Sequence, residues 1–235
     1  MAVGAHPDDV ELFCGGTVAK MVGEGFEATI LDLTRGEMGS FGNPEKRAAE
    51  ARAAADILGT AGRVNLDLGD SALEETIPMR REVAAAIREH RPQIILAPHW
   101  EDQHPDHAAA GRTVREASLD ARLVRLDLGH PPHAPGLVLF YPCHTPVHPT
   151  VVVDITGTFE TKMEAIKAYS SQFDRESGGT GPPPVGIRDY IFHIESRCRH
   201  FGSLINRRYG EGFISPVTIE IEHPGLLLPP EQRIE

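Results

Sequence analysis

The sequence predicts an α/β fold: a mostly parallel sheet covered by helices on both faces. Two observations predict it. Short apolar runs alternate with amphipathic or Ala-rich stretches in the order βαβαβαβα over the first half of the chain. Ile94-Ile95-Leu96-Ala97 is apolar at every position, as a strand buried on both sides is. A third observation supports them. In open parallel sheets ligands sit outside the carboxyl ends of the strands, and the segments richest in polar side chains and turn formers fall at those ends.

The elements follow in order. Met1 to Ala5 reads as a short buried strand. Pro7 breaks it, and a helix is expected from Asp8 or Asp9, whose carboxylates suit a helix N-terminus. Gly15-Gly16 inside that helix implies close backbone packing, and Gly23-Glu24-Gly25 ends it. Ala28 to Leu33 is the second strand, followed by the Gly-rich loop Thr34 to Gly39. Pro44 opens an Ala-rich helix that Gly59 stops after Leu58. A third strand is expected over Val64 to Leu68, and a helix from Pro78 to His90. The fourth strand, Ile94 to Ala97, leads to a helix over Asp106 to Ala117. The second half is less regular. Strands are expected at Leu137 to Tyr141 and Val151 to Asp154, helices at Phe159 to Ser170 and Ile187 to Ile205, and an edge strand at Phe213 to Ile221. Ser177 to Pro184, dense in Gly and Pro, predicts a mobile loop. An irregular tail is expected after Pro224. No repeat or linker interrupts the chain, so one domain spanning 1–235 is expected.

Composition limits the function. The 235 residues are 40% hydrophobic and 24% charged, with a formal charge of −11. That balance predicts a folded soluble protein and argues against nucleic acid as a partner, because phosphate binding runs on clustered Lys and Arg. No apolar run reaches the roughly 18 residues of a membrane span. No signal peptide is read at the start, where His6, Asp8 and Asp9 follow closely on Met1. Three widely spaced cysteines, Cys14, Cys143 and Cys198, build no disulfide framework and fit a cytoplasmic location.

Two motifs carry chemistry. Ala5-His6-Pro7-Asp8-Asp9-Val10-Glu11 offers an imidazole and two adjacent carboxylates at the end of the first strand. His104-Pro105-Asp106-His107 follows the fourth. Either alone is equally a helix cap beside a surface histidine. Together, at the same edge of one sheet, they suggest a divalent-metal site. His6, His107 and one of the two aspartates would supply three protein ligands and leave a position for water. The other aspartate would take the proton from a water that the metal acidifies. His104, three residues before His107, would face the same way and serve the substrate oxygen or leaving group. Asp106 would fix the tautomer of one of these two imidazoles. His99 is a weaker candidate for the same cavity. His90, His130, His133, His144, His148, His200 and His223 read as surface or packing residues. No GxGxxG follows the first strand, which disfavours a dinucleotide site.

These residues resemble the signature of the LmbE/PIG-L superfamily of zinc-dependent N-deacetylases, which act on N-acetylglucosaminyl compounds. Further segments resemble its bacillithiol-biosynthesis branch, which deacetylates N-acetylglucosaminyl-malate. They are Leu33-Thr34-Arg35-Gly36-Glu37, Asp154-Ile155 with Lys162-Met163-Glu164-Ala165, Tyr169-Ser170-Ser171-Gln172-Phe173 and Tyr209-Gly210-Glu211. The resemblance implies a Rossmann-like fold and, as in several members, a homohexamer. It implies His6, Asp9 and His107 as zinc ligands and Asp8 as general base. His104 would be the oxyanion-stabilising or acid residue and Asp106 its charge-tuning neighbour. Arg35, Gln103 and Tyr190 would face an amino-sugar substrate. Fe2+ or another divalent ion suits the same donors as zinc. Two departures stand out. The branch often carries Arg where this chain has Gln103, and His99-Trp100-Glu101-Asp102 is more acidic and bulkier than the resemblance leads one to expect. The alternatives are an amidase of thiol-sugar conjugates, a deacetylase of another amino-sugar, and a non-catalytic metal- or sugar-binding protein of this fold.

Overall fold

The computed structural model describes residues 1–39, 41–173 and 190–220. Its centre is a five-stranded parallel sheet of β1 (Ala2–Gly4), β2 (Thr29–Asp32), β3 (Gly62–Asn65), β4 (Ile94–Pro98) and β5 (Leu137–Tyr141). The strand order is β3-β2-β1-β4-β5. The chain therefore winds outward from β1 to β3, crosses back, and continues through β4 to β5. The order reverses between β1 and β4, which is where open α/β sheets open a crevice for ligands. Both histidine–aspartate motifs leave the sheet from these two strands.

Alternate residues of each strand face opposite layers. Ala2, Ile30, Leu96 and Leu139 pack under α1 (Asp9–Gly23), α2 (Pro44–Leu58), α5 (Phe159–Lys167) and α7 (Tyr190–Leu204). Val3, Leu31, Ile95 and Phe140 pack under α3 (Ile77–His90) and α4 (Pro105–Asp120). Helices thus cover both faces, and each fully buried Leu, Ile, Val or Phe contributes about 1.5–3 kcal/mol. The helix starts follow the sequence signals. Asn43 accepts the Lys46 N–H at 2.7 Å before Pro44. Thr76 does the same for Met79 at 3.4 Å. Among the described residues no helix is long and apolar enough to cross a membrane.

Three expectations need correction. β3 lies at 62–65 rather than 64–68, because Asp67 takes a left-handed φ of 53° that ends the extended chain. The helix expected to run to Ser170 stops at Lys167, and a short turn, α6 (Ser170–Phe173), follows. This break buries Tyr169 completely and sets Ser170 and Ser171 on Glu50. The last strand, β7, is Gly210–Phe213 and not 213–221. It pairs antiparallel with β6 (Val151–Asp154) in a separate ribbon, which joins the main sheet through the Phe140–Ile214 bridge. Gly is a poor strand former, but a Cβ on Gly210 or Gly212 would come within 3.0 Å of Val152 or Phe201. α1 starts at Asp9 as expected, with Asp8 at its N-cap making no side-chain cap bond. The loop expected at 177–184, residues 187–189 of the last helix, residue 221 and the tail after 224 lie outside the described residues.

Candidate active site

The local sequence builds the rim of the crevice twice in the same way. After β1, Pro7 ends the strand and α1 starts at Asp9. After β4, His104 is the N-cap of α4, Pro105 its first residue, and His107 points inward from its first turn. Gly111 lets α4 lie directly on the end of β4. A Cβ there would stand 2.5 Å from the Pro98 carbonyl oxygen.

Three buried side chains converge between the two segments. The His107 Nε2 is 3.1 Å from Asp9 Oδ1, and His6 Nδ1 is 3.6 Å from Asp9 Oδ2. The Asp9 carboxylate is also fixed by the His6 backbone N–H at 2.9 Å. The outer nitrogen of each ring is held by carboxylates. His6 Nε2 is 3.1 Å from both Asp106 Oδ2 and Asp70 Oδ1. His107 Nδ1 is 3.3 Å from Asp102 Oδ1. An ionised carboxylate only accepts hydrogen bonds, so with Asp9 on one side and an outer carboxylate on the other each ring is held protonated on both nitrogens; a cation between them would replace the proton on the Asp9 side and leave the one on the outer nitrogen.

The charges agree with this arrangement. Burial works against a charged His6, but Asp106, Asp70 and Asp9 outweigh it and push its pKa up to about 11. Burial likewise opposes charge on His107, and Asp9 and Asp102 raise it well above the ordinary range. Burial also works against ionised Asp9, but His107 and His6 hold it well below the usual carboxylate range. The cluster therefore favours positive charge between its members. His6, Asp9 and His107 each offer one donor atom within 4.8 Å of the others. The 3.1 and 3.6 Å spacings bracket the edge of about 3.4 Å expected for a tetrahedron with bonds near 2.1 Å. The residues fit a divalent cation.

Asp8 stands apart from its neighbour. Its φ is 121°, a strained conformation for a residue other than glycine. Its Oδ2 accepts from Arg47 Nη2 at 3.2 Å, and the same guanidinium donates to the carbonyls of Pro7 and Gly36. Burial, eased by Arg47 and reinforced by Asp9, pushes its pKa up to about 7. His104 has its ring centroid 5.0 Å from that of His6. Its Nδ1 accepts the Asp106 N–H at 3.3 Å, so its proton sits on Nε2. Burial, then the positive rings of His107 and His6, lower its pKa.

Other expected residues fall differently. The Asp106 carboxylate bonds neither His104 nor His107; it serves His6 and the backbone N–H groups of Ser71 and Leu73. His99 is buried beside Trp100 and bonds Glu101, so it does not enter the cluster. His144, read as a surface or packing residue, is exposed and stacks on His107 with centroids 5.2 Å apart. Arg35 is exposed and paired with Asp67 at 2.7 Å, and Gln103 is exposed. Tyr190 begins α7 and stacks on Phe173. Burial, then the charges of Asp8 and Asp9, raise the pKa of its phenol.

Sequence reasoning missed Arg47, Asp70 and Asp102. Asp70 and Asp102 follow strand ends at the same rim, and that placement is a signal they share with the motifs. Arg47 carried none, being one charge in the first turns of an Ala-rich helix.

Comparison with known proteins decides the family. Residues 1–118 match the PIG-L family, described as GlcNAc-PI de-N-acetylase. The chain is also 32% identical to diacetylchitobiose deacetylase of Thermococcus kodakarensis, over 90% of this chain and 80% of that one. The chain belongs to the PIG-L family. Like its relatives named as deacetylases, it is a hydrolase of C–N amide bonds. A probable N-acetyl-alpha-D-glucosaminyl L-malate deacetylase of Bacillus anthracis is 28% identical, over 74% of this chain and 80% of its own length. A conserved protein from Thermus thermophilus superposes with a TM-score of 0.85 at 37% identity, covering 94% of this chain and 96% of that one. PIG-L deacetylases are metal-dependent, which agrees with the donor set formed by His6, Asp9 and His107.

Proposed function

We propose that this PIG-L protein removes the acetyl group from an N-acetylglucosaminyl compound, with N-acetylglucosaminyl-malate of bacillithiol biosynthesis as its substrate and zinc as its metal. The observation that carries the reading is the division between adjacent carboxylates. Asp9 lies between His6 and His107, while Asp8 turns to Arg47 and has a pKa near 7. A cation held by His6, Asp9 and His107 would supply Lewis acidity and acidify a water. Asp8 takes a proton from the attacking water as its oxygen bonds to the acetamide carbon. The His104 Nε2–H donates to the developing oxyanion, a contribution of roughly 3–4 kcal/mol for one such donor. The C–N bond then breaks, the proton held by Asp8 passes to the amine nitrogen, and acetate leaves. Asp106 and Asp70 keep the His6 ring in place. Tyr190, Arg35 and Gln103 line the approach for the sugar. Cytoplasmic action fits the three free, buried cysteines, and the family resemblance supports a homo-oligomer.

A second reading has its own support. Gln103 stands where the resembled branch often carries Arg, and Arg35 pairs with Asp67 on the surface. This favours an uncharged sugar such as diacetylchitobiose, the compound in the Thermococcus relative's name. Acetate release by the zinc-loaded protein from each compound separates the readings. Release from N-acetylglucosaminyl-malate is expected, and Asp8→Asn should lower it by about 10²–10⁴ while zinc stays bound. Acetate from diacetylchitobiose alone selects the second reading, and none from either overturns both.

A further inference from the structure

Asp102 has no part in the chemistry described above, yet no carboxylate near the cluster is more fully engaged. Its side chain is 0% exposed. Oδ1 faces His107 Nδ1 at 3.3 Å and accepts the His104 N–H at 2.9 Å. Oδ2 accepts the N–H groups of His144 at 2.7 Å and Thr145 at 3.1 Å. Four donors from three places meet on one side chain: the first turn of α4, the residue before it, and the segment after β5.

We propose that Asp102 is the positioning residue for His107 and sets the affinity of the site for its metal. The inference rests on the reading of His107 as a ligand. A buried carboxylate can only accept, so it holds a His107 proton on Nδ1 and leaves Nε2, on the Asp9 side, as the nitrogen a cation would take. Its second oxygen ties the same unit to the backbone of His144, whose ring lies parallel to His107 with 16° between the planes. His107 is thus clamped in tautomer by Oδ1 and in position by the wall that Oδ2 anchors. Asp106, next to His107 in the first turn of α4, and Asp70, from the segment after β3, do the corresponding work for His6. The acidity of the segment before the second motif, a departure from the family resemblance, then has a definite use at Asp102.

The test is metal affinity. Zn2+ is titrated into the metal-free full-length chain against a competing chelator, for the wild type and for Asp102→Asn. Asparagine keeps the shape but must turn an NH2 towards one of the two donor pairs. Loss of such a partner weakens metal binding by about 10- to 100-fold, and that range is expected. A second measurement covers a variant that fails to fold. In the zinc-loaded wild type, 15N-edited spectra should show the His107 proton on Nδ1, shifted downfield by the carboxylate. A folded Asp102→Asn with wild-type affinity, or a His107 ring without a proton on Nδ1, overturns the proposal and leaves the metal site intact. A wild type that binds no zinc overturns the ligand reading and this proposal with it.

Discussion

Asp8 concentrates the conflict between stability and chemistry in one residue. Its φ of 121° places an L side chain where glycine is at home, which costs on the order of 1–3 kcal/mol. The neighbouring contacts sustain it: Arg47 holds both the Asp8 carboxylate and the Pro7 carbonyl, and α1 begins immediately afterwards. Asp8→Ala and Asp8→Gly remove the same carboxylate and differ only in the backbone. Asp8→Gly is expected to be the more stable by about 1 kcal/mol or more, with both variants losing turnover. Urea unfolding compares them. Equal stabilities would mean that the φ carries no strain. The residue types needed at this position were legible in the sequence. The strain was not, because an Asp in the left-handed region leaves no mark on the sequence.

At the scale of elements, the contact of α4 with the end of β4 positions half of the candidate site. Gly111 sits in the middle of that helix. By propensity alone Gly111→Ala should stabilise α4 by about 1 kcal/mol. The added Cβ would lie 2.5 Å from the Pro98 oxygen and 2.8 Å from the Trp100 nitrogen, both backbone atoms. Overpacking of this kind costs typically about 1–3 kcal/mol, so the clash outweighs the propensity. Gly111→Ala is expected to be destabilised in denaturant unfolding and to bind metal more weakly, since His104 and His107 ride on the displaced helix. A variant more stable than wild type would show that α4 does not bear on β4 as described. Helix starts were legible here because Pro and the capping side chains act locally. The extent of β3 and β7 was not, because strand pairing is decided by a partner distant in sequence.

Across the whole molecule, the β6–β7 ribbon is joined to the main body by a buried ion pair. Lys162 of α5 is 0% exposed and bonds Glu211 of β7 at 2.5 Å and the Leu12 carbonyl at 2.8 Å. Glu211 also accepts the N–H groups of Gly16 and Thr17 in α1. Three elements thus meet on two charges. Lys162→Met leaves Glu211 buried with its charge uncompensated, which typically costs about 3–5 kcal/mol. The pair Lys162→Met with Glu211→Gln should recover part of that loss. Urea midpoints of the three proteins decide it, and a loss below about 1 kcal/mol in the single variant would show that this pair does not hold the ribbon.

The sequence by itself determined the parallel α/β layering and the family resemblance. It also placed His6, Asp8, Asp9, His104 and His107 at one edge of a sheet. Those features depend on periodicity and on residues within a few positions of one another, where geometry follows from spacing. The tertiary structure alone decided the outer partners of each imidazole and of Asp8. Asp106 reaches His6 across 100 positions, His144 arrives from the end of β5, and Arg47 crosses from α2 to Asp8. Such partners are chosen by where the chain folds back, and a buried charge accepts whichever counter-charge the fold delivers.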